Sequence, residues 1–425
     1  MKRNNILPPS APEESRLENR EDQALIPHKT DWLRIGQFTF SSLAALTLLV
    51  FFFISILVTV IRDSITSDGL AMGNDLSSYL FLAGLGGMGL LMIPSAISAG
   101  RRLFGKGTPR QLRWKVIARV GYLAPLLLLL GYGVQSGPGW ARGFLPLIHV
   151  LANSTAVLLI LDIARRKLPN QSVSRFWGSF IAGLGLTPLV SFILEIMILF
   201  GIGLVWALLL GAMPGFRQEL VDLANLLQNS SVNSQDLQLA LGDLAARPGV
   251  LLTLFSYVAI MIPVVEELLK PAAVWLLVRR VLQPWEGFVL GATSGAGYAL
   301  FENLTIGAAA EVWTFVALTR LGTAAVHIFT TGLVGWGLAS ASKEKKYGRL
   351  AATFFTAVLV HGVWNGLNIL SAVNGFAAVK DRLGSMGSAL ADFAPVGLII
   401  LALGSFFGLL RANKFFRRAI MAGSN

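Results

Sequence analysis

The 425-residue chain contains no cysteine, which excludes disulfide bonds, thiolate catalysis and metal sites built on sulfur. It is also poor in charge, since 14% of its residues are charged and 54% are hydrophobic. An ordinary soluble protein is about 25% charged and about 45–50% apolar. Acidic residues are the scarcer charged type, 23 against 35 basic residues, so the net charge is +12. This composition argues against a soluble protein and predicts an integral membrane protein.

Apolar blocks of membrane-spanning length recur along the chain and predict an all-α fold, a polytopic bundle of about ten transmembrane helices. The ten predicted spans are 38–61, 78–99, 117–135, 144–163, 177–212, 250–278, 286–307, 313–341, 350–372 and 392–411. The fifth span is long for one helix, and we expect Pro188 to kink or divide it. Residues 1–36 are polar with charges of both signs, which is typical of a disordered cytosolic tail and not of a secretory signal peptide.

Clusters of basic residues fall on one side of the predicted spans. They lie at 101–115, 165–167, 279–280, 343–349 and 411–418, after spans two, four, six, eight and ten. Because basic loops remain in the cytoplasm, this pattern predicts that both termini face the inside of the cell. The same distribution favours contact with an anionic lipid bilayer and argues against nucleic acid as a partner.

Ionisable side chains are concentrated in spans six to nine, inside otherwise apolar segments. One charge at the centre of a membrane helix costs about 2.5–3.5 kcal/mol on insertion scales, so such residues indicate a function. The set comprises Glu266, Glu267, Lys270, Glu302, Asn303, Arg320, His327, His361 and Asn365. Residues four apart share a helix face, as Glu266 does with Lys270. Because the key groups also lie at similar depth, we expect the four helices to turn their polar faces into one pocket.

Two histidines and three glutamates in one pocket suit two kinds of hydrolytic site. Imidazole nitrogen and carboxylate oxygen are common zinc ligands, and a catalytic zinc ion keeps one position open for water. A further glutamate then acts as general base on that water. Without a metal, a glutamate–histidine pair would activate water directly. Both versions predict hydrolysis of a peptide or ester bond inside the membrane, and the residue pattern leaves the choice open.

Four motifs in order resemble the PrsW family of intramembrane proteases, a distant relative of the CAAX prenyl endopeptidase group. They are Glu266-Glu267-x-x-Lys270, the run GYALFEN at 297–303, His327, and His361-x-x-x-Asn365. The resemblance covers about 250–372 and implies a polytopic endopeptidase of a bacterial cell membrane, with the glutamates and histidines in its active site. Family members with known roles cut a membrane-anchored anti-sigma factor. A membrane-anchored protein is therefore the expected substrate, while the oligomeric state stays open.

Individual roles follow from the residue types together with the resemblance. We expect Glu266 and Glu267 to supply the general base and a ligand. The candidate ligands of a Zn2+ ion are Glu267, Glu302, His327 and His361. Asn365 is expected to donate a hydrogen bond to the oxyanion that forms during hydrolysis. Supporting roles are assigned to Lys270, which would keep the paired carboxylates charged, and to Asn303 and Arg320.

The chain then divides into five predicted regions. Residues 1–36 are the cytosolic tail, 37–214 hold about five N-terminal transmembrane helices, and 215–249 form an extracytoplasmic loop with two amphipathic helices. Residues 250–372 are the PrsW-like catalytic core. Residues 373–425 comprise an extracytoplasmic loop, the last transmembrane helix and a basic cytosolic tail.

The same residues are also compatible with two other functions, a transporter and a serine protease. Buried Glu, His and Arg are also the material of a proton-coupled transporter, although the two halves of this chain show no matching repeat. The run GATSGAG at 291–297 places Ser294 before a glycine, as in rhomboid serine proteases, but a serine nucleophile would leave three glutamates unexplained. The transporter is the alternative function from a different class.

Overall fold

The computed structural model describes residues 32–65, 76–105, 111–210, 218, 221–222, 224–225, 248–278, 282–306, 312–373 and 377–422. Within these ranges the chain is all-α, as predicted, and its one isolated β-bridge joins Gln111 to Ser172. The predicted tail at 1–36 and the amphipathic helices predicted within 215–249 fall almost entirely outside the described residues.

The helices are numbered here in chain order. The N-terminal part contains α1 (Trp32–Ile65), α2 (Leu76–Leu103), α3 (Trp114–Gly121), α4 (Ala124–Gln135), α5 (Gly139–Arg142), α6 (Leu145–Arg165), α7 (Val173–Ile181), the π-helical turn π1 (Ala182–Leu186) and α8 (Thr187–Leu210). The C-terminal part contains α9 (Pro248–Ser256), the π-helical turn π2 (Tyr257–Met261), α10 (Ile262–Leu269), α11 (Ala272–Leu277), α12 (Pro284–Thr305), α13 (Trp313–Glu344), α14 (Tyr347–Val373) and α15 (Ala377–Ala422). The last of these is interrupted at Gly384, where φ is 66°.

Nine helical stretches of the described chain are long and apolar enough to cross a membrane. They correspond to nine of the ten predicted spans. The remaining one, 286–307, forms α12, whose 22 residues give a length of about 33 Å, enough for a hydrocarbon core of about 30 Å. Its glycines, serine and threonines lower its apolar character, and every residue from 287 to 300 is buried. The least apolar of the predicted spans is therefore an inner helix.

The bundle has an inner and an outer layer. In α13, 83% of the most apolar window is buried, whereas the figure is 6% both in α1 and in the span that runs from Val173 to Trp206. The outer helices expose large side chains such as Phe53, Phe200 and Leu208. Exposed apolar side chains on this scale are normal for a surface that faces lipid. The chain is thus an integral membrane protein whose polar groups lie on the inner helices.

Close packing of α12 against its neighbours depends on three glycines. A Cβ atom added at Gly291 or Gly295 would collide with the carbonyl oxygens of Thr331 and His327 in α13. One added at Gly297 would collide with the chain of α7 and π1 on the opposite side. These small residues therefore permit close helix approach. Gly295 in particular fixes the distance of α12 from the backbone of His327.

The fifth span is continuous, so of the two predicted effects of Pro188, a kink or a division, the division does not occur. The chain instead passes from α7 through π1 into α8, with Pro188 as the second residue of α8. Proline cannot donate a hydrogen bond to the residue four positions earlier, here Leu184 in the middle of π1. The same arrangement recurs where Pro263 follows π2, with Ala259 as the residue four positions earlier. Each proline is thus accommodated by a wider turn just before it.

Candidate active site

Four helices bring the predicted ionisable side chains to one buried place. The contributors are Glu266 and Glu267 of α10, Lys270 at its C-cap, Glu302 of α12, His327 of α13 and His361 of α14. Of these, Glu267 and Lys270 are fully buried, and His327, His361 and Glu266 are exposed by no more than 6%. The side chain of Glu302 is 25% exposed and lies at the edge of this buried site. The expected convergence of polar helix faces is therefore observed in space.

A break in the sixth span positions Lys270. Helix α10 ends at Leu269, and Pro271, which has no N–H group, separates it from α11. The amide of Val274 donates to Pro271 O at 2.7 Å and so leaves the carbonyl of Lys270 without its usual helical partner. In a membrane every such carbonyl needs another donor. The break is therefore stable only if side chains cap it.

Three side chains cap the broken turn. Trp275 Nε1 donates to Leu268 O (2.9 Å), Thr187 Oγ1 to Leu269 O (3.4 Å) and Ser294 Oγ to Lys270 O (2.5 Å). These donors come from three different helices, so the bend is held by the tertiary structure. The hydroxyl of Ser294 donates this capping hydrogen bond, which argues against a role as a rhomboid-type nucleophile.

The ammonium group of Lys270 lies at the centre of the site. Its Nζ is 2.7 Å from Glu266 Oε2 and 3.1 Å from Glu267 Oε1. It is also 2.9 Å from His327 Nδ1 and 3.4 Å from His361 Nδ1. Two carboxylates and two imidazole nitrogens thus surround one cation. This pairing offsets the large desolvation cost that two buried carboxylates would otherwise carry.

The same donors are placed to bind a metal ion. One donor atom each from Glu267, His327 and His361 lies within 4.8 Å of the other two. His361 Nδ1 is 3.0 Å from Glu267 Oε1, and the two imidazole rings are nearly perpendicular, with centroids 5.0 Å apart. Two histidines and one carboxylate form a ligand set that catalytic zinc sites use. We call these three side chains the donor set.

Glu302 lies behind His327, away from the other donors. Its Oε2 is 3.1 Å from His327 Nε2 and 3.3 Å from Nη1 of Arg320. A charged carboxylate only accepts hydrogen bonds, so His327 Nε2 carries the proton and Nδ1 is left with a free lone pair. That lone pair points toward Lys270 Nζ and the donor set. A carboxylate that orients a ligating histidine in this way is a common second partner in metal sites.

One buried carboxylate oxygen in the site, Oε2 of Glu267, accepts no hydrogen bond from the described part of the chain. By contrast, Glu267 Oε1 accepts from Thr330 Oγ1 at 3.1 Å and from Lys270, and Oε2 of Glu266 is paired with the ammonium group of Lys270. Leaving a buried carboxylate oxygen unsatisfied is costly, and a bound cation or water would remove that cost. The donor chemistry and the unsatisfied oxygen of Glu267 therefore fit a metal ion with a water molecule beside it.

The predicted asparagines do not contact the donor set. Asn365 Nδ2 donates to Val258 O in π2 at 3.0 Å, and Asn303 is buried with an Oδ1 that accepts no hydrogen bond from the described residues. Arg320, in contrast, reaches the site through its ion pair with Glu302. The bond from Asn365 anchors α14, and with it His361, to the irregular backbone of π2. Donation to an oxyanion stays a prediction.

Three contributors were not among the predicted site residues. Thr330 follows His327 by three positions on the same face of α13, so helical spacing alone indicates it. The ring of Tyr298 lies 4.3 Å from Lys270 Nζ and meets the ring of His327 edge to face. Glu195 of α8 has a buried, unbonded Oε1 and lies close enough to interact electrostatically with Glu266. Tyr298 lies four positions before Glu302 on α12, so helical spacing also indicates it, whereas no spacing relates Glu195 to the other site residues.

The comparison with known families agrees with this geometry. Residues 203–391 match a family model described as PrsW family intramembrane metalloprotease. No curated protein and no solved structure is significantly similar to the chain. The matched region holds every member of the donor set together with Glu266, Lys270 and Glu302. The family match favours proteolysis over transport and a metal-dependent site over a metal-free one. Residues 203–391 are thus similar to the PrsW family of intramembrane metalloproteases, in agreement with the resemblance seen in the sequence motifs.

Proposed function

We propose that the buried site cuts a peptide bond in a membrane-anchored protein with the help of a Zn2+ ion held by Glu267, His327 and His361. One observation carries the proposal: two imidazoles and a carboxylate converge within 4.8 Å beside a second buried carboxylate, Glu266. A structural ion-pair cluster needs no second buried carboxylate beside these donors. A hydrolase needs it as the general base.

Lys270 contacts the atoms that would bind the ion. An ammonium group and a divalent cation cannot occupy the same space, so Lys270 Nζ would leave at least part of the donor set if these residues held a zinc ion. The long, flexible lysine stem allows such movement. We propose that Lys270 then remains near Glu266, four positions earlier on the same face, and keeps this carboxylate ionised.

The chemical roles follow from the positions of the side chains. A zinc ion in such a site polarises the scissile carbonyl and makes a bound water more acidic. Glu266, whose Oε2 is paired with Lys270 Nζ at 2.7 Å, would take a proton from water and later return it to the leaving amine. Thr330 and Lys270 hold Glu267 in place through its Oε1. The low exposure of these groups excludes bulk water from the reaction.

Glu302 is proposed to orient His327 and not to bind the metal itself. Glu302→Gln keeps the shape of the side chain but weakens its hold on the proton at His327 Nε2. We expect metal affinity to fall by about 10–100-fold, the usual cost of removing such a partner. A chelator competition titration measures this. The matched control is Glu344→Gln, which removes a carboxylate from an exposed ion pair with Lys346. Unchanged metal affinity in Glu302→Gln would contradict the assignment.

Several finer features are proposed on the basis of the family match. The substrate is a membrane-anchored protein, of which an anti-sigma-factor-like protein is one candidate, and the cell membrane of a bacterium is the proposed location. Residues 250–372 are proposed as the catalytic core, because they hold all the site residues and lie within the matched region. The helices before residue 203 lie outside that match. Among them, α2, α6, α7 and the turn π1 pack against α12 and so support the site from behind.

The function can be tested without knowing the substrate. Bacterial membrane vesicles are supplied with the purified wild-type protein or with Glu267→Gln, and new protein N-termini are quantified by mass spectrometry. We expect new N-termini within or next to transmembrane segments with the wild type only, and a metal chelator should suppress them. Identical N-termini in both samples would exclude proteolysis by this site. Solute uptake by proteoliposomes without any cut protein would support the transporter instead.

A further inference from the structure

At the far end of the last helix, a basic cleft is separate from the proposed active site. It is a cavity of about 500 Å³ between the C-terminal end of α6 and the C-terminal part of α15. Its basic lining residues are Arg166, Lys167, Lys414, Arg417 and Arg418. Its apolar lining residues are Ile163, Leu410 and Met421. The cleft thus combines five cationic side chains with an apolar floor and has no acidic lining residue.

The two chain segments that form this cleft are fixed to each other. Asn413 is nearly buried, and its Nδ2 donates to Ala164 O at 3.1 Å and to Arg166 O at 2.9 Å. These are carbonyls at the end of α6, where the helix offers no donor of its own. The spacing between the basic side chains of the two segments is therefore set by the fold. A preorganised group of cations binds an anion more tightly than scattered surface lysines do.

Most of the positive charge in the cleft is not neutralised by the protein. Arg166 is paired with Asp162 at 2.7 Å. Lys167, Lys414 and Arg418 are exposed and form no ion pair within the described ranges, and neither does the half-buried Arg417. Four like charges around one cavity repel each other and favour an anionic ligand.

The position of the cleft indicates the headgroup region of the bilayer. The last span, Gly387–Ala422, has 36 residues and is about 54 Å long, which exceeds a hydrocarbon core of about 30 Å. Its basic residues all lie after Leu410, where the apolar run ends. Arg165 likewise ends the span formed by α6. The cleft therefore lies where lipid phosphates are found.

An apolar groove continues from the cleft along α15. It is a second cavity of about 510 Å³, lined by Gly404, Phe407 and Gly408 and, at its end near the cleft, by Arg411; it shares Leu410 and Lys414 with the first. A side chain added at Gly404 would meet no atom within 4 Å. From Lys414 to Gly404 the groove runs about 15 Å toward the hydrocarbon core. Its length and chemistry suit an acyl chain that hangs from a headgroup bound above.

We propose that this site binds one anionic phospholipid, with its phosphate on Lys167, Lys414, Arg417 and Arg418 and an acyl chain along the groove at Gly404. The apolar floor and the groove distinguish such a lipid from free phosphate, for which they would serve no purpose. Because Asn413 joins α15 to α6, a bound lipid would also clamp these two helices together. The proposal does not depend on the protease function.

The test uses the full-length protein in neutral detergent, with native mass spectrometry to measure bound lipid and thermal unfolding to measure stabilisation. Phosphatidylglycerol is compared with phosphatidylcholine and with soluble glycerol phosphate. We expect phosphatidylglycerol alone to bind and raise the Tm. The triple variant Lys414→Gln, Arg417→Gln, Arg418→Gln should bind it about 100-fold more weakly, since each basic residue near an anionic headgroup contributes roughly fivefold.

Two further variants complete the experiment. Gly404→Leu fills the groove and should weaken phosphatidylglycerol without affecting glycerol phosphate. The charge-matched control Arg113→Gln, Lys115→Gln, Arg119→Gln changes three exposed basic residues elsewhere and should leave binding as in the wild type. Equal affinity for the two lipids, or an unchanged preference in the Lys414 triple variant, would overturn the proposal. Stabilisation by glycerol phosphate as large as that by phosphatidylglycerol would assign the site to free phosphate and overturn the lipid.

Discussion

Glu267→Gln and His327→Ala are each expected to abolish both metal binding and cleavage while the protein still inserts in the membrane. Each change removes one of three ligands from the donor set, and two remaining ligands hold zinc poorly. In Glu267→Gln, Lys270 stays paired with Glu266, so the buried ammonium group still has a counterion. Metal content by elemental analysis and cleavage at the substrate sites found with the wild type are the two measurements.

The chain offers a matched control for the histidine change. His149 is also buried, but it lies in a separate cluster with Asn153 and Trp313. His149→Ala should reduce stability and leave the metal content per folded molecule unchanged. Size-exclusion chromatography in detergent checks that each variant is folded before its metal is measured. Wild-type cleavage by either donor-set variant would end the assignment of these residues.

Glu266→Gln is expected to separate catalysis from metal binding. Glu266 contributes no atom to the donor set, so the metal should remain bound. The loss of a general base lowers kcat by about 10²–10⁴-fold. The amide cannot accept a proton from water, although it has the size of the original side chain. The decisive measurement is kcat at saturating substrate, together with metal content on the same preparation.

The conservative variant Glu266→Asp sharpens this prediction. It keeps the carboxylate but moves it away from the donor set by one methylene group, so it should retain more activity than Glu266→Gln. A merely structural role in the ion pair with Lys270 would instead make both variants alter stability and leave kcat similar. If Glu266→Gln loses its metal as completely as Glu267→Gln does, the two glutamates share the ligand role and the base lies elsewhere.

Much of the fold was predictable because the membrane limits the choices. Hydrophobic length predicts the spans, since only a helix satisfies its own backbone in lipid. Nine predicted spans match helices of the described chain that are long and apolar enough to cross a membrane, and the tenth forms the central helix α12. The irregular turns π1 and π2 were not predicted. Each turn lies just before a proline, Pro188 or Pro263, which leaves a carbonyl without its usual N–H donor. Where the backbone widens depends on how the neighbouring helices pack around that carbonyl.

The candidate residues were also visible in the sequence, because a buried charge in a membrane helix is expensive and therefore conspicuous. Helical spacing aligned Glu266 with Lys270 and indicated that polar faces turn inward. Spacing within one helix, however, says nothing about the rotation and depth of the next helix. Glu302 illustrates this limit, since sequence reasoning counted it among the ligands and the structure places it behind His327.

By itself, then, the amino-acid sequence determined the membrane class, the positions of most spans and the list of candidate ionisable side chains, because each follows from local hydrophobicity and charge. Only the tertiary structure decided which atoms meet. It selected Glu267, His327 and His361 as the donor set, enclosed Lys270 among them and added Thr330 and Tyr298. The reason is geometric: distances between side chains on different helices depend on packing at glycines such as Gly295, which no single helix encodes.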